Sequence, residues 1–399
     1  MPARRLLIAF GGRSSEHEIS IRSATEILKA IDRQRFTPIL VGIRRDGGWR
    51  TGPADASLES IVQDGAPVDD LRKLAPDLVF PVLHGPHGED GTFQGMLEVL
   101  GLPYVGSGVL ASALCMDKAM LKHVLATQAP AIPVVPWIEV DAHGLSTAGE
   151  RQAIFDAIAE RVGFPCFVKP ANQGSSVGIS KVDDEAGLWR ALTLAARYDT
   201  KLVVERGIDA REIELAVLGN GDAHTLVSAP GEIGLPPGEW YDYDNKYLKD
   251  VTTLQIPAAL PEAAAKQLQE LARRAFRVAG CKGLARIDFL VDRATLAPYL
   301  NEINTMPGFT TISMYPKLLG HSGVTYADLI GHLCELGLQH FAERARLSVT
   351  RSPSTAIWSV SIIATSKPWR SISPPPSSLP RRCRRAGCWW RKAVSARRP

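Results

Sequence analysis

The segment 284–308 constrains the fold most, because apolar and polar residues alternate in two runs that a turn separates. The first run precedes the turn-rich residues 292–295, and the second begins near Leu300. The alternating apolar residues of the first run are Ala285, Ile287 and Phe289. Because side chains on one face of a strand recur every second residue, this pattern predicts two paired antiparallel strands with one apolar face.

The opposite face of the predicted pair carries the polar residues Arg286, Asp288, Glu302 and Asn304. Two carboxylates and an amide oxygen are hard ligands, which suit Mg²⁺ rather than zinc. Without a cation, two adjacent carboxylates would disfavour joint ionisation. A solvated surface hairpin is the alternative, but these residues share a face that offers no Lys at cross-strand spacing.

The two strands resemble the metal-binding strands of the ATP-grasp ligases, in the D-alanine–D-alanine ligase family. The resemblance is carried by Arg286-Ile-Asp288 and by Asn301-Glu302-Ile-Asn304-Thr-Met-Pro307-Gly308, and it extends over residues 4–340. It implies an α/β ATP-grasp fold with ATP between its last two domains. The implied domains are an N-terminal parallel-sheet substrate domain at 1–118, a central lid domain at 119–213 and a C-terminal metal and substrate domain at 214–343.

The N-terminal residues 5–12 predict a buried strand that ends in a glycine turn. A helix should follow from Ser15 to Ala30, with the serine as its cap and an acid in its first turn. Such a turn before a helix can bind an anion, but the spacing of a dinucleotide-binding oxidoreductase is missing. By resemblance, Glu16 holds the ammonium of the first D-alanine.

The glycine-rich segment 83–92 predicts a backbone that closely approaches a ligand. A zinc site at His84, His87 and Glu89 is a weak alternative, because no helical spacing supports it. The resemblance instead implies that His84 positions the substrate.

A second glycine-rich and serine-rich loop follows the strand that ends at Lys169. Its backbone N–H groups and hydroxyls suit phosphate oxygens, and the loop can close as a lid. By resemblance, Ser175 links this lid to Glu16 and to Tyr247. The tyrosine lies in the Gly/Pro/Tyr-rich segment 229–256, whose length predicts a further lid or binding loop.

The resemblance implies the remaining roles. Lysines would bind the ATP phosphates: Lys118, Lys169 and Lys246. Other residues would contact the nucleotide, with Glu212 at the ribose: Ser176, Glu205, Arg206, Ile208, Glu212, Phe289 and Asn301. The expected metal ligands are Asp288, Glu302 and Asn304. Arg286 and the Gly308 N–H would stabilise an oxyanion, while Ser313 and Met314 would hold the second D-alanine.

The implied reaction joins two D-alanines for peptidoglycan by way of an acyl phosphate. It consumes ATP with two Mg²⁺ or Mn²⁺ ions and releases ADP and phosphate. By resemblance, a tyrosine at position 247 implies D-alanine rather than D-lactate as the second substrate. A D-alanine–D-lactate ligase and another ATP-grasp carboxylate–amine ligase are the alternatives.

Composition is that of a soluble globular protein, and no stretch approaches the ~20 apolar residues of a membrane span. The N-terminal apolar run is too short for a signal peptide. Of the six cysteines, only Cys383 and Cys388 have even a weak metal spacing, and four lie in apolar surroundings. We therefore expect buried free thiols in a cytoplasmic protein. We also expect a homodimer with no nucleic-acid or membrane partner.

The C-terminal residues 344–399 carry 13 Lys and Arg and no acid, whereas the remaining chain has a net charge of −9. Arg381–Arg385 and Trp389-Trp390 suit phosphates or interfaces, so a nucleic-acid or membrane-surface arm is one interpretation. The other is an added or out-of-frame extension that is disordered, since the family resemblance ends soon after a helix near Tyr326–Leu338.

Overall fold

Three β-sheets organise the part of the chain that the computed structural model describes, residues 2–234 and 253–347. All of these residues belong to one compact unit. The first sheet has the order β4-β3-β2-β1-β5, with β1 parallel to both β2 and β5. Its strands are β1 (Arg4–Gly11), β2 (Phe36–Ile43), β3 (Trp49–Gly52), β4 (Ala66–Pro67) and β5 (Leu78–Pro81).

The buried first strand is confirmed, and both of its faces are covered. Leu6, Ile8 and Phe10 belong to one apolar cluster, and Leu7 and Ala9 belong to another. This double burial explains why β1 reads as a continuous apolar run. The sheet is parallel from β2 through β1 to the edge strand β5, whereas β3 and β4 are antiparallel strands at the other edge.

The helix after β1 is α1 (His17–Ala30), and its predicted serine cap is wrong. Glu16 occupies the cap position, and no side chain caps the helix. The hydroxyl of Ser14, one residue before the predicted cap Ser15, accepts a hydrogen bond from the Glu16 N–H at 3.2 Å and donates to the His84 carbonyl at 2.7 Å. The serine therefore connects two glycine-rich turns.

The second sheet is antiparallel, with the order β6-β9-β7-β8. Its strands are β6 (Trp137–Asp141), β7 (Cys166–Pro170), β8 (Ser180–Val182) and β9 (Lys201–Arg206). Helices α6 (Ala148–Arg161) and α7 (Glu185–Ala195) pack on it through Ile158 and Leu188. The predicted serine-rich loop therefore joins two hydrogen-bonded strands, β7 and β8.

The third sheet has the order β13-β12-β10-β14-β15, with β11 beside β10. Its strands are β10 (Ala210–Gly219), β11 (Leu226–Val227), β12 (Gly231–Gly234), β13 (Thr253–Gln255), β14 (Gly283–Asp292) and β15 (Pro298–Asn304). Helix α8 (Glu262–Val278) buries Leu268, Leu271 and Phe276 against this sheet, as its amphipathic pattern predicts.

The remaining α-helices are α2 (Leu58–Asp64), α3 (Thr92–Leu100), α4 (Val109–Met116), α5 (Lys118–Ala126), α9 (Met314–His321) and α10 (Tyr326–Leu347). The last of these, α10, continues beyond Leu338, where the sequence predicted its end. Residues 344–347 are therefore helical, and Arg344 forms an ion pair with Glu98. The rest of the predicted tail lies outside the described residues. Among the described helices, none combines the length and apolar character that a membrane crossing requires.

The prediction of buried free thiols is confirmed for the four cysteines within the described residues. They are Cys115, Cys166, Cys281 and Cys334. Cys383 and Cys388 lie outside the described residues.

Candidate active site

The antiparallel pair predicted from 284–308 is confirmed as β14 and β15. Asp288 lies directly opposite Glu302, and Arg286 lies opposite Asn304. The apolar residues Ile287 and Ile303 are also opposite each other and are buried in the core. All four polar residues therefore share the face that the sequence pattern predicts.

A bulge interrupts this pair between Asp288 and Phe289. Glu302 pairs with Asp288 and Leu300 with Phe289, so Asn301 is the extra residue on its strand. The consecutive residues Asn301 and Glu302 both line one cavity. In a strand without a bulge, the side chains of two consecutive residues would lie on opposite faces of the sheet.

Arg286, whose side chain is 13% exposed, lies in an acidic cluster. Its Nε and Nη2 donate to the two oxygens of Asp288 at 2.8 and 2.7 Å, and Nε lies 3.1 Å from Glu214 Oε2. Burial lowers the pKa of Arg286, but the charges of Asp288 and Glu214 outweigh burial and raise it well above its usual value. The sequence pattern did not indicate Glu214, which is opposite Asp288 on β10.

The donor set on these strands fits magnesium bound together with a phosphate. Asp288, Glu302 and Asn304 supply oxygens from adjacent strands, and Glu302 and Asn304 line the first of two cavities. Within residues 2–234 and 253–347, no cluster of three or more His, Cys, Asp or Glu could hold a metal. Two carboxylates and an amide leave positions for phosphate oxygens and water, which is the usual arrangement for Mg²⁺ with a nucleotide.

The first cavity has a volume of about 960 Å³ and lies beside the start of α1. Glu16, His84, Ser175 and Arg286 line it. The Ser175 hydroxyl donates to Glu16 Oε1 at 2.5 Å, across 159 residues of sequence. The predicted partners Glu16 and Ser175 are thus in contact, whereas Tyr247 lies outside the described residues.

Both ring nitrogens of His84 have protein partners. Nδ1 lies 2.9 Å from the Met306 carbonyl, and Nε2 lies 3.2 Å from the Ser23 hydroxyl. A carbonyl only accepts, so Nδ1 carries the proton, and burial lowers the pKa of the imidazole despite the nearby charge of Glu16. Because both ring nitrogens are hydrogen-bonded to the protein, the imidazole of His84 is held in a fixed position in the cavity wall.

Glu89 also lines this cavity, although the sequence pattern assigned it no ligase role. Its Oε1 accepts from the Gly85 N–H at 3.0 Å, and its Oε2 is buried without a hydrogen-bond partner among the described residues. Burial and the adjacent charge of Glu16 raise the pKa of Glu89 to about 8. The cavity therefore contains a carboxyl group that favours its neutral form.

The end of the cavity nearest α9 is built from residues after β15. Gly308, Ser313 and Met314 line it, and Ser313 precedes the first turn of α9. A Cβ on Gly308 would lie 2.7 Å from the Ser313 hydroxyl, so only glycine allows this close approach. The Ser313 hydroxyl accepts from the Thr310 N–H at 3.1 Å, which fixes the turn.

The second cavity, of about 900 Å³, lies between the second and third sheets. Residues predicted to contact the nucleotide line it: Lys169, Ser176, Glu205, Arg206, Ile208, Glu212, Phe289 and Asn301. Lys169 Nζ donates to Glu205 Oε2 at 2.8 Å, and Arg206 Nε donates to the Val162 carbonyl at 2.7 Å. Lys246 lies outside the described residues.

The two cavities share part of their lining. Lys118, Ser175 and Glu302 border both of them. Lys118 Nζ donates to the Gln173 carbonyl at 2.6 Å, which joins the start of α5 to the serine-rich loop. The two cavities therefore meet at a junction that contains both charge signs.

Solved structures resemble this chain over most of its length. The D-alanine–D-alanine ligase of Coxiella burnetii has a TM-score of 0.75 at 36% identity and covers 87% of this chain and 97% of its own. VanG D-Ala:D-Ser ligase of Enterococcus faecalis has a TM-score of 0.74 at 32% identity and covers 84% of this chain and 99% of its own. The fold is therefore the ATP-grasp fold of ATP-dependent ligases.

Sequence comparisons are more specific. The family models for the D-ala D-ala ligase N-terminus and C-terminus match residues 5–107 and 126–335. The D-alanine–D-alanine ligase of Heliobacterium modesticaldum is 44% identical and covers 88% of this chain and 100% of its own; that of Sodalis glossinidius is 44% identical and covers 86% and 98%. The chain belongs to the D-alanine–D-alanine ligase family.

Proposed function

We propose that this enzyme joins two D-alanines with ATP and releases D-alanyl-D-alanine, ADP and phosphate for peptidoglycan synthesis. Membership of the family supports the reaction. The single observation of geometry that carries it is the junction of the two cavities at Lys118, Ser175 and Glu302. A phosphoryl group can pass there from a nucleotide to an amino acid.

The chemistry begins with activation of a carboxylate, which is a poor acyl donor at neutral pH. The γ-phosphoryl group of ATP is transferred to the first D-alanine and gives an acyl phosphate. The amine of the second D-alanine attacks this acyl phosphate, and phosphate leaves. When bound by Asp288, Glu302 and Asn304, Mg²⁺ offsets the negative charge of the phosphates.

The roles of the protein residues in these steps are proposals. Glu16 binds the ammonium of the first D-alanine, and its bond to Ser175 supports that placement because the lid then reaches the substrate. His84 positions the substrate indirectly, because its hydrogen bond to the Met306 carbonyl holds the cavity wall in place. Arg286 and the Gly308 N–H stabilise the tetrahedral oxyanion, with support from their places in one cavity lining.

The nucleotide residues follow the same logic. Lys118 and Lys169 bind phosphates together with Lys246, while Ser176 of the loop covers them. Glu205, Arg206 and Ile208 contact the adenine, and Glu212 contacts the ribose. Phe289 and Asn301 complete the cavity, and Ser313 and Met314 hold the carboxylate of the second D-alanine. Their positions in the two cavity linings support these roles.

The identity of the second substrate can be tested by identifying the product. With purified enzyme, ATP and Mg²⁺, we expect ADP release that depends on D-alanine and a product that chromatography identifies as D-alanyl-D-alanine. D-lactate and D-serine, each offered with D-alanine, are the matched competitors. Preferential formation of the depsipeptide or of D-alanyl-D-serine would overturn the assignment of the second substrate.

The assembly is proposed to be a homodimer in the cytoplasm. Val99 on α3 and Leu110 on α4 are 88% and 79% exposed, and they supply apolar surface for a second copy. The use of ATP and the four buried free thiols support a cytoplasmic location.

A further inference from the structure

A buried lysine lies behind the nucleotide cavity and has no role in the proposed reaction. The side chain of Lys122 on α5 is 1% exposed, and its Nζ lies 3.1 Å from Glu205 Oε1. Lys169 Nζ lies 2.8 Å from the other oxygen of the same carboxylate. Glu205, itself 3% exposed, therefore bridges two lysines.

The two lysines differ in what they can reach. Lys169 lines the nucleotide cavity, with 11% of its side chain exposed. Lys122 is outside the lining of both cavities. A bound phosphate is therefore accessible to Lys169 but not to Lys122.

The charges of the cluster explain why two lysines are needed. A buried carboxylate is unfavourable unless it is paired. If Lys169 alone neutralised Glu205, its move toward a phosphate would leave that carboxylate buried without a counter-ion. Burial raises the pKa of Glu205, but Lys122 and Lys169 outweigh burial and lower it to about 2, so the carboxylate is charged at neutral pH.

We propose, on the basis of the nucleotide site assigned above, that Lys122 is a positioning residue for ATP. It neutralises Glu205 permanently, so that Lys169 can leave the carboxylate and donate to the nucleotide phosphates. Glu205 then remains charge-paired while its carboxylate faces the adenine.

The geometry of α5 supports this division of roles. Lys118 and Lys122 are four residues apart and lie on one side of the helix. Lys118 borders both cavities, whereas Lys122 is buried against Glu205. Asp117 caps the helix by accepting from the Ala119 and Met120 N–H groups and also binds Lys201 of β9 at 2.7 Å, which fixes the helix beside the second sheet.

The test compares affinities for ATP and AMP, measured by calorimetry on the full chain with Mg²⁺. Both ligands share the adenine and ribose, so the ratio of the two dissociation constants isolates the phosphates that AMP lacks. We expect Lys122→Met to lower the preference for ATP by about 10-fold or more, the usual scale for a hydrogen bond between charged groups. In a Lys169→Met/Glu205→Gln background, which has no buried carboxylate to neutralise, Lys122→Met should have no further effect.

Removing the carboxylate should reverse the defect. The double variant Lys122→Met/Glu205→Gln buries neither charge, so it should fold and regain the wild-type preference for ATP over AMP even if Lys122→Met alone does not fold. Lys266→Met is the control, because it breaks an exposed Lys–Glu pair on α8 that borders neither cavity, and it should leave the preference unchanged.

Three outcomes would overturn the role of Lys122. They are an unchanged preference in Lys122→Met, an equal loss of ATP and AMP affinity, and a double variant with Glu205→Gln that remains impaired. Failure of the wild-type enzyme to bind ATP would instead refute the proposed function itself.

Discussion

At the scale of single residues, Glu89 shows how the first cavity shapes acid–base behaviour. Its pKa is raised from 4.5 to about 8, so the folded protein keeps a proton that the unfolded chain releases above pH 4.5. The free energy of unfolding should therefore fall as pH rises through this window, by at most ~1.4 kcal/mol per pH unit from this group.

Glu89→Gln removes this titration. We expect its free energy of unfolding to fall less between pH 5 and pH 8 than that of the wild-type protein, as measured by urea denaturation without nucleotide. The lowered pKa of His84 acts in both proteins, so it cancels in the comparison. Equal slopes for the two proteins would contradict the raised pKa.

Glu302 provides a second prediction at this scale. Glu302→Gln keeps the side-chain shape but removes the charge opposite Asp288, so we expect turnover to fall by at least ~100-fold in a folded protein, the scale of a lost electrostatic contact in an active site. Circular dichroism checks the fold, and calorimetric titration with Mn²⁺ and ADP should show weaker metal binding.

The control for this variant is Glu270→Gln, which removes an exposed carboxylate on α8. It should leave both turnover and metal binding unchanged. Normal turnover of Glu302→Gln would remove Glu302 from the metal site.

Single residues also mark the limit of sequence prediction. Asp288 and Glu302 were predictable as neighbours, because a two-residue period and one turn determine their pairing. Glu214 and Lys122 were not, because their partners lie on strands that only tertiary packing brings close. The serine cap of α1 was wrong because the helix begins at His17, so Glu16 and not Ser15 occupies the cap position.

At the scale of elements, the loop 171–179 depends on unusual backbone angles. Ser175, Ser176 and Gly178 have φ of +49°, +58° and +73°. L-residues rarely adopt such angles, and two serines in succession indicate a backbone that its contacts hold in place. The Ser175–Glu16 and Lys118–Gln173 hydrogen bonds provide such contacts.

Gly178→Ala tests this loop. A Cβ there would lie 2.6 Å from Tyr198 Cδ2 and 2.9 Å from Pro170 Cγ, and Pro170 is part of β7. We expect a loss of about 2–4 kcal/mol in unfolding free energy from backbone strain and overpacking together, with a raised KM for ATP. Urea denaturation and initial rates provide the two measurements.

Gly163→Ala is its matched control. Gly163 has a nearly identical φ of +74° but nothing within 4 Å of the added Cβ, so only the backbone strain of about 1–2 kcal/mol should appear. Equal losses in the two variants would show that the loop relaxes around the new methyl group.

Elements were predicted well where one chemical pattern dominates. The buried strand β1 and amphipathic helix α8 follow from apolar spacing alone. The bulge at Asn301 and the antiparallel edge strands β3 and β4 were not predicted, because backbone register and pairing direction leave no fixed residue pattern.

At the scale of the whole molecule, α3 and α4 present the apolar surface proposed for dimer formation. Leu110→Glu places a charge on that surface, so we expect a shift from dimer to monomer in sedimentation velocity with little change in unfolding free energy of the monomer. Ile312→Glu is the control, because Ile312 is 67% exposed but lies beside the first cavity. A wild-type monomer, or a Leu110→Glu dimer, would contradict this interface.

The hydrogen bond between Ser175 and Glu16 has a consequence for how the enzyme uses ATP. The loop 171–179, proposed to cover the nucleotide, is hydrogen-bonded through Ser175 to Glu16, which is proposed to bind the amino acid and lies 159 positions away in the sequence. Closure over ATP and recognition of the acceptor thus become one event. We therefore expect slow hydrolysis of ATP by water when D-alanine is absent, since one closure of the loop would both cover the phosphates and present them with a carboxylate.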